Sequence, residues 1–428
     1  MALTFLVGIQ LARSLGPTGY GKYGTVMAVV SLLLVPAQMA LPVLAMRDIS
    51  VFASQSAHDE LKGVLVWFTL RVLTSSALIS SLALVGYWLW FGAHSPGSPR
   101  LYVWGLATLP VLALGNLGAG VLRGLQRVAA SQFYDALIRP ALFAVLLFIS
   151  IKFVGEFNAE RAMEMQALAV ALSLGLCAIN IWFALSPEMH RAAPLRRGGW
   201  LKSAAPMTAI EIVRVFDGQY AMILFGAVAS ADDVGLFRVA LSSAGFVGLP
   251  NTLIALAVTP FLAQLQAGED RRRLQLATNG AALAMFGGTL AMAFAMIVAG
   301  KWALTLAYGR DYVGSWAPLA LIACSDTVTA FYGSTSILLL MSGQERAVAR
   351  VSATGVIIGV ALTAALYPCF GINSVGLAWI VSEIVKGTLM RKTALERISI
   401  DPSALPILCA VWDFARSSFR VSKKVSPL

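Results

Sequence analysis

Runs of about twenty residues without a charge recur along almost the whole of this 428-residue chain. About 20 residues of helix cross ~30 Å of hydrocarbon, and lipid cannot satisfy an open backbone, so each run reads as a membrane-spanning helix. Strand alternation of the kind a membrane barrel needs is missing from them. The composition agrees, at 58% hydrophobic against 12% charged residues and a mean hydropathy of +0.78, well outside what a water-soluble domain uses. The fold class expected is all-α and polytopic, with about twelve spans.

The first six spans are read as 1–15, 23–46, 64–91, 101–122, 133–154 and 165–185. The second six are 203–230, 234–265, 274–298, 316–341, 351–370 and 374–390. This organises the chain as an N-terminal lobe over 1–186, a linker over 187–202, a C-terminal lobe over 203–392 and a basic interfacial tail over 393–428. The first span is short, which suggests a clipped helix whose start lies upstream of Met1.

Net charge is +11, which invites a nucleic-acid reading until the charges are placed. Even-numbered connections and the tail carry twenty Lys and Arg against seven in the odd-numbered ones. By the positive-inside rule the basic excess is topological, nucleic acid is not a partner, and both termini face the cytoplasm. Cys177, Cys324, Cys369 and Cys409 are scattered, and His58, His94 and His190 are isolated in connections. No metal site, bound cofactor or nucleophile triad is indicated.

One motif needs separate treatment. Gly19, Gly21 and Gly24 in "GPTGYGKYG" have the G-x-G-x-x-G spacing of a dinucleotide-binding loop. Neither a preceding strand nor an acid about twenty residues on is present, so no nucleotide is expected. Shifting the chain by 214 places Gly21 on Gly235, Tyr23 on Phe237 and Pro36 on Pro250, which suggests two six-helix parallel repeats. A second pair aligns Gln126 in "GLQRVAAS" with Gln344 in "SGQERAVA". On this reading the glycines make tight turns, and Tyr20, Tyr23 and Phe237 sit in an aromatic belt at the outer interface.

"LARSLGPTGYGKYGTVMAVVSLL", "VFDGQYAMILFGAVASADDVGLFRVAL" and "LYPCFGINSVGLAWIVSEIV" together resemble the polysaccharide-export flippases. These are the Wzx-type O-antigen translocases of the multidrug/oligosaccharidyl-lipid/polysaccharide superfamily, whose first helix is fuller than the one here. The resemblance implies a MATE-like, two-lobed transporter in the bacterial inner membrane. Its implied cargo is a polyprenyl-diphosphate-linked repeat unit for O-antigen (lipopolysaccharide), capsule or exopolysaccharide. Other polysaccharide-assembly membrane proteins become candidate partners.

Charges inside spans are expensive, so they mark the candidate site. Arg71 in the third span and Arg214 in the seventh are read as cavity cations that contact a diphosphate or acidic sugar. Glu211, Asp217, Arg139, Asp326 and Lys386 are candidates for lining the cavity or for coupling to a proton or sodium ion. Local salt bridges compete for Asp135 with Arg139 and for Glu383 with Lys386, and headgroup snorkelling competes for Arg238. A cation-coupled multidrug antiporter of the same superfamily and a membrane-embedded glycan polymerase or ligase remain as alternative functions.

Overall fold

In the computed structural model of this chain, residues 2–55, 57–91, 98–153, 157–185, 200–267 and 271–407 are described. The linker stretch 187–199, most of the tail (408–428), His94, His190 and Cys409 lie outside the described residues. Every regular element among those described is helical: the protein is an all-α polytopic membrane protein. Contacts divide the chain into two units, Met1–Arg238 and Val239–Leu428.

The first unit holds α1 (Ala2–Gln38), α2 (Leu41–Ser54), α3 (His58–Phe91), α4 (Pro99–Gly124), α5 (Val128–Phe133), α6 (Arg139–Phe153), α7 (Ala159–Ala184), α8 (Trp200–Val228) and the start of α9 (Ala231–Ala244). The second holds the rest of α9, then α10 (Leu249–Ala267), α11 (Arg271–Ala307), α12 (Trp316–Tyr332), α13 (Thr335–Met341), α14 (Glu345–Phe370) and α15 (Asn373–Ile398). All twelve expected spans fall on helices. Seven helices are long and apolar enough to cross a membrane alone, and α9 with α10 adds an eighth as one span bent by 42°. Those that fall short are interrupted or charged: α12 stops at Gly333 (φ 59°), α8 contains Glu211, Arg214 and Asp217, and α15 contains Glu383 and Lys386.

In the first unit α4 packs against α1, α2, α3 and α7. Small residues make that possible: a Cβ on Gly120 would lie 2.3 Å from the Pro42 carbonyl oxygen, and one on Gly105 would strike Val26. The unit contains a buried cluster that includes Leu41, Ile49, Phe68 and Trp200. The Trp200 indole donates to Asp48 Oδ2 at 2.8 Å, and Asp48 Oδ1 accepts from Arg47 Nε at 2.8 Å, so this buried carboxylate is satisfied on both oxygens. The second expected span ends early because Met39 and Ala40 are both left-handed (φ 51° and 52°) and turn the chain into α2, which Pro42 helps to start.

The shift of 214 becomes physical in the first unit. Gly16 breaks α1 with φ 64°, and 214 residues later Ser230 separates α8 from α9, its hydroxyl accepting from the Asp233 amide at 3.1 Å. Beyond the breaks the two segments face each other position for position. A Cβ on Gly21 would lie 2.0 Å from the Ala231 carbonyl oxygen, and one on Gly235 2.0 Å from that of Pro17. Thr18 donates to Asp232, and Gly24 makes room for the stem of Arg238. Pro17 with Ala231, Thr18 with Asp232, Gly21 with Gly235 and Gly24 with Arg238 are all 214 apart, as expected of a local two-fold. The tight turn therefore belongs to Gly16, while Gly21 and Gly235 serve close approach of two helices. Tyr20, Tyr23 and Phe237 are buried (3%, 4% and 0% exposed), not in an outer belt, because this seam encloses them.

The second repeat signal shifts by one residue. The left-handed residues ending the two helices are Gln126 (φ 60°) and Gly343 (φ 72°). Each is followed by the same wide bond, Arg127 N to Leu122 O at 2.8 Å and Gln344 N to Leu339 O at 3.0 Å. Gln126 thus corresponds to Gly343, not to Gln344.

In the second unit α11 packs on α10 and α12, and α15 on α12 and α14. After α15 the chain reverses at Ser399 (φ 60°) and runs back into this unit, burying Ile400, Ser403 and Ala404 at 2%, 0% and 0% exposed. Its Asp401 takes a two-pronged contact from Arg391, Nε to Oδ1 at 2.9 Å and Nη2 to Oδ2 at 2.5 Å.

Gly21→Ala and Gly235→Ala are each expected to lower the thermal unfolding midpoint in detergent, because backbone atoms cannot give way to the added carbon. Gly86→Ala, where a Cβ meets nothing within 4 Å, is expected to leave the midpoint unchanged or raise it by the equivalent of about 0.5–1 kcal/mol. Equal behaviour of the three variants would dissolve the seam as a packing constraint. Asp401 supplies a pH prediction. Burial raises its affinity for a proton, but the hydrogen bonds from Arg391 and Ser403 outweigh that and hold the carboxyl below the ordinary aspartate range. A lowered folded value contributes stability above the unfolded value of about 3.9 and loses it as pH falls through the folded one. The midpoint difference between wild type and Asp401→Asn should accordingly be full at neutral pH, begin to shrink as pH falls through about 4 and vanish only below the lowered folded value.

Candidate functional site

Charges inside the first unit sort into four settings. The first is α3, where Arg71 lies between Phe68 and Val72, both fully buried. Arg71 is half-buried, and its Nε is buried with no hydrogen-bond partner. The turn that carries it is fastened to α1, because the Ser75 hydroxyl bonds both the Arg71 carbonyl and the Ala37 carbonyl, each at 2.7 Å. A guanidinium held on a fixed turn with an unused donor is suited to an anionic partner.

The second setting is the middle of α8. Glu211 and Arg214 are one turn apart and join through both carboxylate oxygens, with Arg214 Nε donating to Oε2 at 2.8 Å and Nη2 to Oε1. Their side chains stay 41% and 71% exposed, so the fork is oriented without being enclosed. Two of the five guanidinium N–H donors point at Glu211, which leaves three for another acceptor. Asp217 lies a further turn along the helix.

The third setting surrounds α6. Between α5 and α6 the chain makes a π-helical turn over Tyr134–Ile138. Pro140 offers no N–H to the carbonyl of Ala136, and the amide of Arg139 reaches back to Tyr134 instead. Arg139 and Asp135 are 3.6 Å apart and, with Tyr134, Ser173 and Cys177, line a small cavity of about 20 Å³, room for roughly one water. Arg139 is therefore paired locally, at a helix irregularity.

Arg238 does not reach for headgroups as expected. Its guanidinium carbon lies 5.1 Å from the Tyr20 ring centre and 5.4 Å from that of Tyr23, a cation–π arrangement that Gly24 permits by lacking a side chain.

Within the second unit, α12 and α15 pack together and carry charges that the sequence spreads over sixty residues. Lys386 Nζ is 2.5 Å from Glu383 Oε1, with Lys386 only 9% exposed. The lysine stem lies where a side chain on Gly355 of α14 would be, and neighbouring Ser382 donates to the Gly355 carbonyl at 2.7 Å. Asp326 lies on α12, which packs directly on α15. The second unit thus sets a carboxylate on the helix that packs against the one carrying the Lys386–Glu383 pair.

Truncating Glu383 leaves an ammonium of 11% side-chain exposure without its carboxylate. Glu383→Ala is expected to destabilise the protein by on the order of 3 kcal/mol. Glu211→Gln removes a far more exposed partner and is expected to cost no more than about 1 kcal/mol. Chemical or thermal denaturation in detergent reads both, and a reversed order would mean that Lys386 is not held as described.

No family model matches the chain, and no curated protein matches it. Solved structures do. An inward-facing multidrug resistance MATE family transporter of the MOP superfamily is 16% identical over 93% of this chain and 94% of its own, with a TM-score of 0.77. The lipid II flippase MurJ in an inward closed conformation is 12% identical over 92% of this chain and 85% of its own, with a TM-score of 0.68. A MOP superfamily transporter from Pyrococcus furiosus, described as having a binding pocket of reverse polarity, is 14% identical over 93% and 92%, with a TM-score of 0.56. At these identities the likeness is one of architecture, and over more than nine-tenths of its length the chain has the fold shared by MATE transporters and the flippase MurJ.

Proposed function

We propose that this protein is a membrane transporter that flips a polyprenyl-diphosphate-linked oligosaccharide, an O-antigen, capsule or exopolysaccharide repeat unit, across the bacterial inner membrane. The observation that carries the reading is Arg71. A buried, unpartnered guanidinium N–H costs on the order of 1–3 kcal/mol, a cost that fits a group retained for a ligand and not for stability. Arg71 would meet a diphosphate oxygen, and Arg214, oriented by Glu211, would offer its remaining donors to a second phosphate oxygen or an acidic sugar. Both termini face the cytoplasm in this scheme, in line with the twenty-to-seven excess of basic residues in the even-numbered connections and tail. The likeness to a lipid II flippase supports a lipid-linked cargo.

Coupling is assigned to the second unit. Asp326 and Glu383 would take up a proton or sodium ion and release it on the other side, with Lys386 holding Glu383 in place. Asp217 and Arg139 are secondary candidates for lining the path, Arg139 being engaged with Asp135. The same pair of acids, with the TM-score of 0.77 to a multidrug transporter, favours a second reading, a cation-coupled drug antiporter.

Deleting the gene and measuring lipid-linked oligosaccharide in each leaflet separates the two. Inner-leaflet accumulation with loss of surface polymer is the expected outcome, unrelieved by Arg71→Ala or Arg214→Ala and relieved by Arg71→Lys to a partial extent. Normal glycan with retention of cationic dyes would replace flipping by drug export. Normal export by a folded Arg214→Ala protein would remove Arg214 from the cargo path.

A further inference from the structure

Residues 399–405, just beyond α15, are held in the second unit as a bound peptide would be. Gln275 of α11 reads the backbone of Asp401 in both directions, donating to its carbonyl at 2.6 Å and accepting from its amide at 3.0 Å. Asn279, one turn on and 3% exposed, donates to the carbonyls of Asp401 and Ser403 at 3.1 Å and 2.6 Å. The Ala404 amide donates to the Phe331 carbonyl at 3.0 Å, in the last turn of α12, where carbonyls lack partners within the helix. Beside it Gly333, at φ +59°, has the Pro402 carbonyl oxygen 3.1 Å from where its Cβ would be. The segment thus rests on the break between α12 and α13, seven residues from Asp326.

Its attachment is mostly polar. Apolar anchoring comes from Ile400, packed with Leu262, Leu274 and Leu338, while the rest is backbone bonds to two carboxamides and the Arg391 clamp on Asp401. Hydrogen bonds of this kind contribute little net energy when water can replace them, which suits a contact that is made and broken.

We infer that residues 399–405 are a latch, docked on α11 by Gln275 and Asn279, whose release frees the α12–α13 break and thereby eases movement of the helix that carries Asp326. The inference rests on the transporter reading, since a latch on α12 matters only if α12 moves.

The test places a reporter at Ala404. In full-length protein with Cys177, Cys324, Cys369 and Cys409 replaced by Ala, Ala404→Cys is labelled with a water-soluble maleimide in membrane vesicles that expose the basic connections. Slow labelling at rest is expected, faster by about tenfold after Arg391→Gln or Asn279→Ala and faster by several fold when a proton or sodium gradient drives flux. Two folding variants are used so that failure of one leaves the other readable. Flux of lipid-linked oligosaccharide and of a cationic dye is followed in the same vesicles. Flux with unchanged protection of position 404 would overturn the latch and leave a static brace. Absence of flux for both cargoes would overturn the transporter reading and the latch with it, whereas rapid labelling at rest would show that the segment is not docked.

Discussion

Two backbones lie so close along 17–24 and 231–238 that neither can carry a side chain at its central contact. Gly21 faces the Ala231 carbonyl and Gly235 the Pro17 carbonyl, and the neighbouring side chains are arranged around that approach. It places Thr18 on Asp232, admits the stem of Arg238 beside Gly24, and encloses Tyr20 and Tyr23 beneath its guanidinium. Helices in lipid gain little from hydrophobic association, so close van der Waals packing of this kind is what selects their partners. The breaks at Gly16 and Ser230 fall just ahead of each contacting segment.

The charges show a division of labour that follows from their surroundings. Asp48 and Lys386 are buried and paired, one with an indole and an arginine, the other with Glu383. Arg214 is clamped yet exposed, and Arg71 is partly buried with a donor to spare. A buried charge that lacks one of its partners is the expensive arrangement, which is why Arg71 directs the functional reading more strongly than residues with complete shells.

Helix class was legible in the sequence because hydrophobic length alone demands it, and each of the expected spans lands on helix, although seven helices, or eight with the bent pair, are long and apolar enough to cross where twelve spans were expected. What hydropathy could not show were interruptions inside apolar sequence: the left-handed pair Met39 and Ala40, the bend between α9 and α10, and the stop at Gly333 leave no mark on hydropathy. The repeat was visible as Gly21 over Gly235, but its meaning was not, since a glycine needed for a turn and one needed for close approach look alike until both partners are placed. Arg71 and Arg214 stood out in the sequence as cations set within apolar runs. The packing of α12, which carries Asp326, on α15, which carries Glu383 and Lys386, and the role of Gln275 and Asn279, required the fold, because they join helices far apart in the chain.

The π turn at Tyr134–Ile138 is in effect one residue more than a regular helix would hold between α5 and α6. Each residue of an α-helix turns the chain by about 100° and advances it 1.5 Å. A π turn absorbs that residue within one widened turn, so α6 keeps the rotational phase that an uninterrupted helix one residue shorter would give it. Loss of a single residue within the turn would let α5 and α6 fuse with the faces of α6 unmoved, whereas loss of one residue inside α6 would rotate everything after it by about 100°. A length change too small to alter any hydropathy profile is thus absorbed at one place and exchanges the buried and exposed faces of the helix at another.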